Sequence, residues 1–108
     1  MQNNLAAIDT AGAHGQQPAG MLLYAGIIEG FYERWPDAVD RFRLAVEADP
    51  AFAKAFLYLG RSLTESGQFD EARTAFTEAE ALGVPADALA DARRRLASVE
   101  SSSARTPG

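Results

Sequence analysis

Ala19 to Asp49 can be laid over Ala53 to Gly83 at a constant offset of 34 residues. In that register Ala19 meets Ala53, Leu23 meets Leu57, Tyr24 meets Tyr58 and Gly26 meets Gly60. Further on, Ala38 meets Ala72, Phe42 meets Phe76 and Ala45 meets Ala79. A period between 20 and 50 residues signals stacked supersecondary units, each unable to bury its apolar face alone. Arrays of that kind present extended surfaces suited to binding.

The 108-residue chain has room for one small domain. Its net charge of −5 is spread without a strongly polarised segment, so no basic nucleic-acid footprint is indicated. Cysteine is absent, which removes disulfides, thiolate metal sites and a cysteine nucleophile, and is compatible with a reducing, cytoplasmic setting. The first twenty residues lack the basic start and apolar run of a secretory signal. The longest apolar run, Met21 to Ala25, is far too short to cross a bilayer.

Residues 1–18, with Asn3, Asn4, Gly12, Gly15, Gln16, Gln17 and Pro18, read as a disordered arm. Residues 101–108 read as a loose tail. Five helical segments are expected between them. The first covers about Ala19–Arg34 and breaks at Trp35-Pro36-Asp37, where Pro36 suits the first turn of the next helix. The second, about Asp37–Ala48, carries the stripe Val39, Phe42, Ala45 and Val46 and ends at Asp49-Pro50. The third, about Ala51–Ser66, aligns Phe56, Leu59, Gly60 and Leu63, and Gly67 supplies a left-handed turn after it. The fourth, about Asp70–Leu82, turns Ala72, Phe76 and Ala79 inward. The fifth, about Ala86–Val99, follows Pro85 and places Leu89, Leu96 and Val99 on one face.

In the second unit Phe56, Leu59, Gly60, Leu63, Gly67, Phe69, Ala72, Phe76 and Ala79 alternate large and small side chains. In that order and spacing the unit resembles a tetratricopeptide repeat. The first unit is similar through Gly26, Trp35, Ala38, Phe42, Ala45 and Pro50. It departs at Glu29, where the family has an aromatic residue or leucine, and at Ala25, where leucine is usual. The resemblance implies an all-α fold, a right-handed α-solenoid of antiparallel helix hairpins. Its expected parts are repeat 1 over 19–52, repeat 2 over 53–84 and a capping helix over 85–100. Gly60 and Ala72 would let the paired helices approach closely, with Phe56, Leu63, Phe69 and Phe76 filling the space around them.

The same resemblance implies a non-catalytic interaction module whose groove, lined by the first helix of each pair, holds a helix or extended peptide of another protein. The groove positions would be Leu23, Ile27 and Phe31, then Lys54, Tyr58, Arg61 and Glu65. Members that clamp the C-terminal carboxylate of heat-shock chaperones place lysine and asparagine at several such positions. Here Lys54 and Arg61 are the comparable charges and asparagine is missing, so an apolar helix with an acidic end fits better. A chaperone-like shield for an aggregation-prone subunit, or an accessory domain of a larger enzyme, are the alternatives.

No constellation points to catalysis, a metal or a cofactor. His14, the single histidine, lies in the arm with no partner arrangement. Asp70-Glu71 and Asp37/Asp40 fall near helix N-termini, where acids complement the dipole and cap the helix. Arg93, Arg94 and Arg95 point about 100° apart around a helix and form no flat phosphate-binding patch.

One oddity remains in the first helix. Met21, Leu22, Leu23, Tyr24, Ala25, Ile27, Ile28, Phe31, Tyr32 and Trp35 cover most of its circumference, and a helix apolar all round is normally covered on several sides. The arm folding back, a homodimer through Leu22, Ile28 and Tyr32, or a layer supplied by a partner protein would each cover it.

Overall fold

The computed structural model describes residues 18–104, and within them the chain is all-helical. Residues 1–17 and 105–108, expected as most of the arm and half of the tail, lie outside the described residues. Five helices follow one another: α1 (Ala19–Phe31), α2 (Trp35–Ala48), α3 (Ala53–Glu65), α4 (Phe69–Ala81) and α5 (Ala86–Ala104).

The 34-residue offset survives in three dimensions. α1 and α3 begin and end at equivalent positions, and so do the starts of α2 and α4. The turns repeat bond for bond. After α1, the Arg34 N–H donates to the Glu29 carbonyl at 2.9 Å and that of Glu33 to Gly30. After α3, Gln68 donates to Leu63 at 2.9 Å and Gly67 to Thr64. These back-bonds satisfy carbonyls that the helix end would leave unpaired.

Packing repeats as well. A methyl group placed on Gly26 would fall inside the ring of Phe42, and one placed on Gly60 inside the ring of Phe76. Each helix pair therefore closes on a glycine backbone met by a phenylalanine face. Ala38, Ala45, Ala72 and Ala79 are fully buried beside those rings, so the small residues set the approach and the aromatics fill it.

α1 packs on α2, α3 on α4, and α2 on α3, while α5 lies on both α3 and α4. α3 touches all four other helices, which is why it is buried nearly all round: Ala55, Leu57, Leu59, Gly60, Ser62, Leu63 and Thr64 are enclosed. The hydroxyl of Thr64 stays satisfied there by donating to the Gly60 carbonyl at 2.9 Å. Phe56 and Phe69, expected in the core, are only partly buried and pack against its edge.

The boundaries differ from expectation by two residues or more in four places. α1 stops at Phe31 rather than Arg34, because the back-bond from Arg34 to Glu29 turns the chain. α2 begins at Trp35, with Pro36 inside its first turn. α3 begins at Ala53 rather than Ala51, since the Asp49 carboxylate accepts the Ala51 N–H at 3.1 Å and holds residues 49–52 in a turn. α5 runs on to Ala104, so Ser101, Ser102 and Ser103 are helical and not part of a loose tail. Glu100, ion-paired with Arg73 of α4 at 2.8 Å, fastens α5 just before that extension.

Pro18, assigned to the arm, belongs to the start of α1: its carbonyl accepts the N–H groups of Met21 and Leu22. The acids of the first turns also act differently from expectation. Asp37, Asp70 and Glu71 do occupy first turns, but the N-caps are Arg34 and Gln68 and neither makes a side-chain capping bond. Asp70 and Glu71 instead pair with Arg73 and Arg43. Asp40 lies beyond the first turn of α2.

Candidate functional site

A groove of about 600 Å³ opens where the C-terminal half of α1 faces α3 and α5. Its apolar wall is built from Ile27 and Phe31 of α1 together with Trp35 at the start of α2. Gly26 and Gly30 keep that wall thin. A methyl on Gly30 would press on the Trp35 ring at 3.1 Å, so the indole lies directly against bare backbone. Phe31 is 80% exposed, an unusual amount of bare aromatic surface.

The opposite wall comes from α3. Tyr58 stacks on Phe42 of α2 with ring centroids 5.7 Å apart and planes inclined by 27°. The Arg61 guanidinium lies over the Tyr58 ring, 5.3 Å from its centroid. One turn of helix separates Tyr58 from Arg61, so helical spacing alone brings the cation over the ring. Among the described residues Arg61 has no carboxylate partner. It is a held but uncommitted positive charge.

α5 closes the groove with Ala88, Asp91, Ala92 and Arg95. Arg95 makes two hydrogen bonds to the Glu65 carboxylate, from Nε at 2.7 Å and from Nη2 at 3.0 Å. This fork-to-fork contact fixes both side chains, and the hydrogen bonds that Arg95 donates to Glu65 raise the pKa of its guanidinium further above the ordinary value. Asp91 is engaged by Arg94 at 2.7 Å.

Of the seven residues expected to line the groove, Ile27, Phe31, Tyr58, Arg61 and Glu65 come together there. Leu23 does not: it is 6% exposed and belongs to the core, as its repeat equivalent Leu57 does. Lys54 is exposed at the first turn of α3 but outside the groove lining. Of the expected self-association residues, Ile28 and Tyr32 are well exposed, whereas Leu22 is 5% exposed and packs inward. Leu22 and Leu23 both turn into the core, and Met21 and Tyr24 on either side of them stay outside.

Trp35, Arg95 and Asp91 were missed as groove residues. Asp91 and Arg95 are exposed on α5, a helix outside the repeat and so without an equivalent to mark its groove-facing side. The charge match across elements, an acid at Glu65 and a base at Arg95, was the available signal. The bonded partners of Asp70, Glu71 and Glu65 are all arginines, and among the described residues no group of three acidic or histidine side chains converges as metal ligands would. No helix of the described residues is long and apolar enough to cross a membrane.

No model of a known protein family matches this chain, and no curated protein matches its sequence.

Proposed function

We propose that this chain is a non-catalytic interaction module, a two-repeat helical hairpin stack of tetratricopeptide type closed at one end by α5, whose groove holds a segment of another protein. The repeated glycine–phenylalanine closures and repeated turns support the architectural part of this reading. The single observation that carries the functional part is the uncommitted Arg61, held on Tyr58 beside Ile27, Phe31 and Trp35. An apolar wall with one oriented cation selects a ligand that presents leucine- or phenylalanine-like side chains next to a carboxylate. The apolar contact supplies affinity and the charge supplies orientation. The Glu65–Arg95 pair is already satisfied and would act as a rim that such a ligand displaces only at a cost.

Trp35 is the only tryptophan of the chain and lies in the groove wall, so its emission reports occupancy. The test is a titration with amphipathic helical peptides carrying Leu and Phe on one face and either glutamate or lysine at one end. The expected result is a Trp35 emission change with the acidic peptide and a reversed preference in Arg61→Glu. Equal response to both peptides, unchanged in Arg61→Glu and Ile27→Asp, would remove the groove assignment.

A further inference from the structure

A second surface adjoins the groove and shares Phe31 with it. Along the outer side of α1, Met21, Tyr24, Ile28 and Tyr32 follow one another at three- and four-residue spacing and form a continuous stripe, each side chain between 57% and 70% exposed. Phe31 extends it at the C-terminal end, its ring edge-on to Tyr32 at 5.4 Å. The equivalent positions on α3 are Ala55, Tyr58, Ser62 and Ser66. They are buried or partly buried, with Tyr58 against Phe42 of the preceding pair. The stripe is thus a stacking face left without a neighbour among the described residues.

We propose that this stripe is the contact surface for a second copy of the same chain, paired about a two-fold axis that brings the two α1 helices together. Three observations favour that occupant. The first is charge. α1 carries one ionisable acid, Glu29, mostly covered and paired with Arg34. The exposed charges at the stripe's end, Glu33 and Arg34 (its guanidinium 5.6 Å from the Tyr32 centroid), are opposite in sign, so two such faces carry no net exposed charge to repel although each chain is −5 overall. The second is area. Five side chains of about 200 Å² each, roughly two-thirds exposed, leave about 600 Å² bare per chain. Two such faces together remove about 1,200 Å² from water, which reaches the range of specific, stable interfaces.

The third is the match between the two ends. Head-to-tail stacking would need the far end of the domain to accept the stripe, but the outer side of α5 presents Asp87, Ala90, Arg94 and Ser98, a polar surface. The stripe itself is large (Met, Tyr, Ile, Tyr) where the stacked face of α3 is mostly small (Ala, Tyr, Ser, Ser), so α1 is not shaped for another repeat of the same kind. An isologous contact, in which the face meets itself, satisfies both conditions and leaves the two polar α5 caps outward. Two repeats per chain then become four in the assembly, beyond the three or so that repeat stacks need for stability.

The test is sedimentation velocity on the full chain from about 1 to 100 µM, a range that brackets the dissociation constants of interfaces at the small end of the specific class. The expected result is a monomer–dimer equilibrium. Ile28→Asp and Tyr24→Glu should each weaken it at least about 100-fold, because every substitution enters a two-fold interface twice. Circular dichroism checks that both variants remain helical, as their exposed positions lead one to expect. The chain has no native cysteine, so Ile28→Cys should oxidise to a covalent dimer while Thr77→Cys, exposed on α4, should not. A monomer throughout, whether the stripe is covered by residues 1–17 or by another protein, would overturn the proposal. So would a dimer that survives Ile28→Asp and Tyr24→Glu. Arg61→Glu, which tests the groove, should leave the association unchanged, so the two readings fail separately.

Discussion

Glu33 holds a left-handed backbone, φ 60°, at the position that Gly67 fills one repeat later with φ 81°. The turn after α1 and the turn after α3 make the same back-bonds, so the geometry is imposed by the repeat and not by the residue. Glycine adopts it freely, while a residue with a Cβ is held there at a cost of roughly 1 kcal/mol. Glu33→Gly should therefore raise the midpoint of chemical denaturation by a shift worth about 0.5–1 kcal/mol, the gain in strain being partly offset by a freer unfolded chain. Gly67→Ala should lower it by about 1 kcal/mol. Nothing lies within 4 Å of a Cβ at Gly67, so that loss would be conformational and not steric.

At Gly60 the reverse applies. The helix conformation suits alanine, but the methyl group would occupy the Phe76 ring. Gly60→Ala should cost about 1–3 kcal/mol through overpacking. Combining it with Phe76→Leu should cost less than the two single changes added together, since the smaller side chain vacates the space. Strict additivity in urea denaturation would show that the ring and the glycine do not constrain one another.

The end of α5 should respond to acid. Hydrogen bonding from Arg73 holds the Glu100 carboxyl below its ordinary value of 4.5. A group whose pKa is depressed by folding contributes fully above its unfolded value and loses that contribution as pH falls through the lower folded value. Amide exchange at residues 100–104 should thus be slow near neutrality and accelerate as pH falls below about 4.5, after correction for intrinsic rates. Glu100→Gln should exchange fast at both ends of that range. The pair is solvent-exposed, so global stability should change little.

Two apolar side chains of α1 should give opposite phenotypes. Leu22→Asp places an unpaired charge in the core and should abolish cooperative folding. Ile28→Asp alters a surface side chain and should leave the helical signal intact. Thermal melts followed at 222 nm separate the two, and similar losses would mean that α1 is rotated from the orientation described.

The periodic part of the chain was legible because packing writes itself into residue size. Gly26 and Gly60, Phe42 and Phe76, and the four buried alanines are recoverable from sequence, and the helix starts follow to within a few residues. What was not legible had lost its contrast. In α1 the run Met21 to Ala25 is apolar throughout, so polarity could not say that Leu22 and Leu23 point inward while Met21 and Tyr24 point out. The register could: Leu23 aligns with Leu57, and both are buried. The Glu33 turn was hidden because glycine, the usual marker, is absent from the first copy. The groove wall supplied by α5 was hidden because α5 is not part of the repeat and has no equivalent to be compared with.

Each helix pair closes on its own glycine–phenylalanine contact, and the joint between pairs is the stacking of Tyr58 on Phe42. Phe42 thus serves both, closing on Gly26 within its own pair and carrying Tyr58 of the next. The length of such a protein is then a copy number. Writing the 34 residues that begin at Ala53 a second time would set a new Tyr58 against Phe76, in the relation that Tyr58 already has to Phe42, and would carry α5 outward unchanged.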